Sequence, residues 1–374
     1  MTRLNRRAFL KQSSLAAVGG AAALGLTSCS QPDSSSTSDG QSLSGKVYKW
    51  DMVTTWPPDF PVLGTSAVKL AETVAKMSSG RLKITVYGAG KLVPAMESFD
   101  AVSSGQAQMG HGAAYYWAGK SKAAQFFTAV PFGMTAQQMN AWIYHGGGHD
   151  LWREVYEPFG LLPFPVGNTG VQMGGWFNRE INSLNDLRGL KMRLPGIGGD
   201  VLSKAGGIVT LSPGSEIYTN LERGVIDATE WVGPYHDYLM GFHKIAKFYY
   251  YPGWHEPGSV LEAIVNKAAY DELPEDLQMI LTAACAQANV EMLADFEAKN
   301  HEYLQKMIKE HNVQLKRFPD EVLNQLKVLS DEVLEAMAVE DPVCRKVYDA
   351  FKAFQQQVGG WSAISEQAYL NLNH

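Results

Sequence analysis

An α/β protein of two lobes, joined by a hinge around a central ligand cleft and finished by long C-terminal helices, is the fold this sequence predicts. Strand-like and helix-like stretches alternate from residue 46 onward, the pattern of layered α/β folds. Two endings of the form helix–Gly–strand, SSGQAQMG and LERGVIDAT, are weak copies of one another. Of 374 residues, 346 remain once residues 1–28 are set aside as an export segment, a length that suits two lobes better than one core.

The export reading rests on residue types. Residues 1–28 carry Arg3, Arg6, Arg7 and Lys11, no acidic residue, and the apolar stretch LAAVGGAAALGL, which is too short for a permanent membrane span. The run from Asn5 to Lys11 resembles the twin-arginine export signal, with Asn where Ser or Thr is usual. Leu26-Thr27-Ser28-Cys29 resembles a lipobox. Its Cys29 would be acylated and anchor a periplasmic protein to the membrane; the blander alternative is a secreted chain with a Cys near its cleavage site. Residues 29–45 are Ser-rich and without apolar periodicity, so they predict a flexible tether that reaches roughly 50 Å when extended.

The body then reads element by element. KVYKWDMVT is a strand of aromatic and β-branched residues, and 62–78 a helix with Val62, Leu63, Val68, Leu70, Ala71, Val74, Ala75 and Met77 near helical spacing. RLKITVYG alternates as a strand, and 94–104 is a helix closed by Gly105. Further on, 187–194 reads as a strand, 199–206 and 215–223 as helices, with Gly224 leading into VIDATEW. A helix from Leu273-Pro274 is expected to run to about 311, followed by helices near 319–336 and 341–358. Such a long helix either packs across both lobes or reaches a partner chain. The expected boundaries are lobe I over 46–168 and lobe II over 169–258. Residues 259–374 return to lobe I and supply helices that span the lobes or form a dimer interface.

Composition narrows the function. Loss of the four basic residues of 1–28 moves the formal charge from −6 to −10, which argues against nucleic acid as a partner. Cys285 and Cys344 lie in helical patterns and predict buried free thiols. No Gly-x-Ser-x-Gly elbow, Walker loop or Cys-x-x-Cys pair is present, so no catalytic residue is nominated. His255-Glu256 begins like a zinc-protease motif, but Val260 stands where its second His belongs. His145 and His149 are spaced to share a helix face, with three glycines between them that argue against a rigid metal site.

One polar constellation does point to binding. Gln172 lies in GNTGVQMGGWF, which reads as a buried strand. Arg193 ends the strand KMRLPG before a Pro-Gly turn, and Glu230 and Trp231 follow VIDAT. An Arg fork holds a carboxylate bidentately; the alternative is a structural bridge from Arg193 to Glu230. Trp56, Tyr116, Trp117 and Trp176 are candidates for either pocket wall or plain core.

These stretches, with FDAVSSGQAQMGHGAAYYWAGK, INSLNDLRGLKMRLPG and LERGVIDATEWVGP, resemble the periplasmic solute receptors of tripartite ATP-independent (TRAP) transporters, the DctP-like family. The resemblance runs from about residue 46 to the late helices. Within the family the chain is most similar to the branch that binds alpha-keto acids such as pyruvate, which includes a lactate-binding relative. It implies a periplasmic binding protein fold and no chemistry on the ligand. It places the carboxylate-binding Arg at Arg193, and a sodium or calcium ion at Gln172, Glu230 and the backbone carbonyl of Trp231, with Glu256 as a further ligand. Asn168 and Tyr115 fall at the ligand's polar end. A membrane permease of two subunits is the implied partner, and a helix-exchanging homodimer the implied assembly. Two rivals stay open: a dicarboxylate or sugar-acid receptor that uses Arg193 without metal, and an exported metal-dependent lyase or hydrolase.

Overall fold

The computed structural model describes residues 45–372. The expectations for the export segment, for Cys29 and for all of the tether except Gly45 lie outside the described residues.

Eleven strands among the described residues form two sheets. The first has the order β2-β1-β3-β10-β4, built from β1 (Tyr48–Thr54), β2 (Leu82–Tyr87), β3 (Met109–Gly112), β4 (Leu161–Asn168) and β10 (Val260–Asn266). Here β1 lies parallel to β2 and β3, while β10 runs antiparallel between β3 and β4. The second sheet has the order β11-β9-β5-β8-β6-β7. Its strands are β5 (Gly175–Phe177), β6 (Lys191–Arg193), β7 (Ile208–Thr210), β8 (Ala228–Thr229), β9 (Phe248–Tyr251) and β11 (Gln314–Arg317).

The chain therefore crosses between sheets three times: over 169–174, over 252–259, and again on the way to β11. The first two crossovers run side by side and pair with each other. Thr169 N donates to Ser259 O at 3.0 Å, Gln172 N to Glu256 O at 3.1 Å, and Gly253 N to Gln172 O at 2.9 Å. A Cβ at position 253 would stand 2.3 Å from the Gln172 carbonyl oxygen, so only glycine permits this approach.

The third crossing follows the helix Glu275–His311. Its buried residues Leu277, Leu281, Cys285, Asn289, Met292 and Phe296 recur every three to four positions, one apolar stripe along the helix. The first part of the stripe joins a core with Trp50, Met52 and Phe164 beneath the first sheet. The later part joins a core with Trp176, Trp231 and Tyr249 on the second-sheet side. The helix thus packs against both halves of the chain. Helices Asp320–Glu340 and Pro342–Ile364 follow. Cys285 and Cys344 are buried and unbridged.

Several local expectations need correction. Gln172 is not on a strand: β4 stops at Asn168 and β5 starts at Gly175, because pairing with the second crossover replaces sheet pairing. The stretch 187–194 is a strand only over Lys191–Arg193; a 3-10 turn, Leu184–Leu187, precedes it and is opened by a Ser183/Asp186 capping box. The helix expected over 94–104 is a 3-10 turn, Ala95–Glu97, running into the helix Ser98–Ser103. His145 ends one helix and His149 lies in the next, so they share no helix face.

Candidate functional site

Sheet register brings the first two groups together. β6 pairs with β8, with Arg193 opposite Thr229, so Glu230, the next residue, lands beside the Arg193 side chain. The guanidinium, only 1% exposed, donates through Nη1 to the Glu230 carboxylate. Its Nη2 stands 3.4 Å from the Tyr116 hydroxyl and its Nε 3.4 Å from the Ser212 carbonyl. The guanidinium carbon lies 5.4 Å from the Trp231 ring centre, within cation–π range. The bridge weighed from sequence is thus present.

The paired crossovers supply the other groups. Gln172 Nε2 donates to the Glu256 carboxylate at 2.8 Å and lies 3.1 Å from Thr169 Oγ1 and 3.2 Å from Ser259 Oγ. Ser259 Oγ also donates to Glu256. A carboxylate accepts only, so the Gln172 amide nitrogen must face it and Oε1 must point away. Asn168, at the end of β4, accepts from Gly170 N at 2.9 Å.

What these groups leave unpartnered is informative. Gln172 Oε1, Glu230 Oε2, Glu256 Oε1, Asn168 Nδ2 and both ring nitrogens of His255 are buried without a hydrogen-bond partner. Glu230, His255 and Glu256 each offer one donor atom, all within 4.8 Å of one another. Orphaned buried polar atoms cost roughly 1–3 kcal/mol each, a cost that a bound ion or ligand at this cluster would relieve. Burial pushes the Glu230 and Glu256 carboxyls up to about 7, against the pull of Arg193. It pulls His255 down to about 4, so that imidazole is neutral. Burial, then the neighbouring carboxylates, raises the Tyr115 hydroxyl well above its usual value.

Two carboxylates against one guanidinium leave a buried negative excess when both are ionised. The convergent acceptors are hard oxygens, the donor set of sodium or calcium, so these residues fit the cation that the resemblance implied. Beside them lies a narrow cavity lined by Trp56, Tyr115, Tyr116, Gln172, Trp231 and Ser259, among others.

Of the candidate aromatics, Trp56 and Tyr116 line this cavity, while two others are core. Trp117 donates to Glu262 at 2.5 Å, and Trp176 donates to Asp237 at 3.0 Å while stacked on Tyr249. Sequence reasoning missed His255, Ser259 and Thr169 as neighbours of the cluster. Adjacency of His255 to Glu256 was the available signal, but it was weighed only against a helical zinc motif.

A two-sheet α/β chain with an arginine–carboxylate cluster at its paired crossovers, next to a cavity, is a binding protein of the two-lobe kind. The family model for bacterial extracellular solute-binding protein, family 7 (DctP), matches residues 52–341, and the chain belongs to that family. It is 42% identical over 371 residues, 99% of both chains, to a monocarboxylate 2-oxoacid-binding periplasmic protein of Nostoc sp.. Two solved TRAP periplasmic solute-binding proteins superpose with TM-scores of 0.85, each covering 87% of this chain and 99% of the other. One, from Pseudoalteromonas atlantica, is 48% identical and has bound sodium and pyruvate. The other, from Colwellia psychrerythraea, is 47% identical and has bound calcium and pyruvate.

Proposed function

We propose that this extracytoplasmic receptor captures a small 2-oxo or 2-hydroxy monocarboxylate, pyruvate or a close analogue, with a sodium or calcium ion, and delivers it to a TRAP permease. The supporting observation is the set of orphaned oxygens on Gln172, Glu230 and Glu256 beside the buried Arg193 fork. Arg193 takes the ligand carboxylate, which planar geometry suits better than a lysine would. Gln172 Oε1, Glu230, Glu256 and the Trp231 carbonyl hold the cation. A cation there supplies the positive charge that lets an anionic ligand sit next to Glu230. Asn168 and Tyr115 meet the polar end of the ligand, and Trp56, Tyr116 and Trp231 exclude water, which strengthens every charge contact. Residues 46–168 and 169–258 form the two lobes that shut on the ligand, and residues 259–374 tie them together.

Export by the twin-arginine route and anchoring through acylated Cys29 complete the reading. So does a homodimer through the C-terminal helices, where Trp361, Ile364, Tyr369 and Leu370 stand exposed. Such a group of apolar side chains suits an interface between copies.

Calorimetry with pyruvate, lactate, succinate and gluconate, each with and without sodium or calcium, tests the proposal. Cation-dependent binding of pyruvate or lactate is expected. Cation-independent binding of succinate or gluconate would replace this reading with the metal-free receptor, and turnover of labelled pyruvate would replace it with an enzyme.

A further inference from the structure

His236 is a further buried polar residue, in contact with the cavity-lining Trp231, and no ligand role claims it. It sits in the first turn of the helix Pro234–Met240 and is fully buried. Three elements enclose its ring: Phe60 at 4.7 Å, Phe296 of the long helix at 5.1 Å, and Trp231, nearly parallel, at 6.5 Å. Its two nitrogens have opposite and unexchangeable roles. The Trp231 indole N–H only donates, so His236 Nδ1, 3.2 Å away, accepts. The Pro61 carbonyl only accepts, so His236 Nε2 carries the proton and donates to it.

The two partners belong to opposite sides of the molecule. Pro61 precedes the helix Leu63–Met77, which packs with Trp50 and Met52 of the first sheet. Trp231 directly follows β8 and Glu230 in the second sheet, lines the cavity, and lies 6.4 Å from Trp56 across it. One imidazole therefore connects a cavity wall on one side to the backbone on the other.

We infer that His236 is a positioning residue that latches the cleft shut: its bond to Pro61 holds the closed form while its bond to Trp231 fixes the indole against Arg193. The inference rests on the reading of the chain as a receptor that closes on its ligand. A latch of this kind slows ligand escape without contacting ligand, because opening must first break the bond.

Two substitutions separate the roles. His236→Asn places a carbonyl oxygen near the Nδ1 position and keeps an acceptor for Trp231, but loses the donor to Pro61. His236→Gln places an amide N–H near the Nε2 position and keeps the donor to Pro61. Pyruvate association and dissociation, followed by tryptophan fluorescence with calcium present, should show His236→Asn releasing pyruvate about 2–10-fold faster, the worth of one net hydrogen bond. Its association rate should be unchanged, and His236→Gln should release at the wild-type rate. Thermal midpoints without ligand should agree among the three chains. Equal release from wild type and His236→Asn would overturn the latch, as would equally fast release from both variants with lowered ligand-free midpoints, which would make His236 a core residue only. Wild-type protein that fails to bind pyruvate at all would remove the receptor reading and the latch with it. Imidazole ¹⁵N spectra of the wild-type chain need no variant. They should show a slowly exchanging His236 Nε2–H with pyruvate and calcium, lost to exchange without them; an equally protected signal in both states contradicts the latch.

Discussion

Glu230 and Asp237 are buried carboxyls seven residues apart on the same half of the molecule, and they are treated in opposite ways. Every oxygen of Asp237 is used: Oδ2 accepts from Tyr249 at 2.7 Å and Trp176 at 3.0 Å, and Oδ1 accepts from Val232 N at 3.2 Å. Glu262 in β10 is similar, with Trp117 at 2.5 Å on Oε1 and Tyr156 at 2.9 Å on Oε2. Glu230 instead meets Arg193 with one oxygen and leaves the other without a partner, as does Glu256. All four carboxyls are buried, so burial does not separate the two pairs; completeness of hydrogen bonding does. Asp237 and Glu262 have every oxygen engaged within the fold, whereas Glu230 and Glu256 each keep one oxygen free, as the proposed cation site requires.

Substitutions should break or sharpen that contrast, with effects on binding that shrink with distance from the orphaned atoms. Arg193→Lys keeps the charge beside Glu230 and loses the fork. Pyruvate affinity should fall by about 100-fold or more, consistent with the 2–5 kcal/mol attached to a buried, hydrogen-bonded charge. Titration calorimetry checks it, with circular dichroism to confirm the fold. Glu230→Gln removes the charge that calls for a cation, so affinity should drop roughly 10–100-fold and its dependence on calcium should disappear. Retained calcium dependence would place the ion elsewhere. Asp237→Asn should shift pyruvate affinity by less than about threefold yet cost roughly 1–3 kcal/mol of stability, because the new amide leaves at least one former donor unpaired. Denaturant melts and calorimetry on one preparation separate the two outcomes.

Glu262→Gln should leave binding unaltered and change only how stability depends on pH. Burial lifts the Glu262 carboxyl from 4.5 to about 8, opposed by its two hydrogen-bond donors. Between those values the folded chain holds a proton that the unfolded chain has released, so stability is fully present below about 4.5 and is lost as pH rises toward about 8. The Gln variant lacks this loss. Its melting temperature relative to wild type should climb across that window, and a constant difference would show that Glu262 is ionised in the fold.

Much of this was legible in the sequence, where the signal was local. The strands KVYKWDMVT and RLKITVYG, the helix ending at His311, and Arg193 at a strand end all follow from residue type and spacing, although the Pro195-Gly196 expected as a turn opens the helix Gly196–Lys204. Features set by distant partners were hidden. Gln172 reads as strand because its neighbours are apolar and glycine-rich, yet its backbone pairs with Glu256, 84 residues away. Trp117 ends a 3-10 turn and Trp176 is the middle residue of β5, and nothing local tells which indole faces the cavity and which faces a buried carboxyl. β11 joins the second sheet only because the long helix carries the chain back to β9. His236 has no motif, and its role depends on Pro61, 175 residues earlier.

The most direct measurement is a crystal structure of the receptor grown with pyruvate and calcium. Pyruvate should lie with its carboxylate on the Arg193 fork and share one calcium ion with Gln172 Oε1, Glu230 and Glu256. Those three oxygens still bare, with ligand or calcium bound elsewhere, would show that the unsatisfied carboxyls are not the binding site.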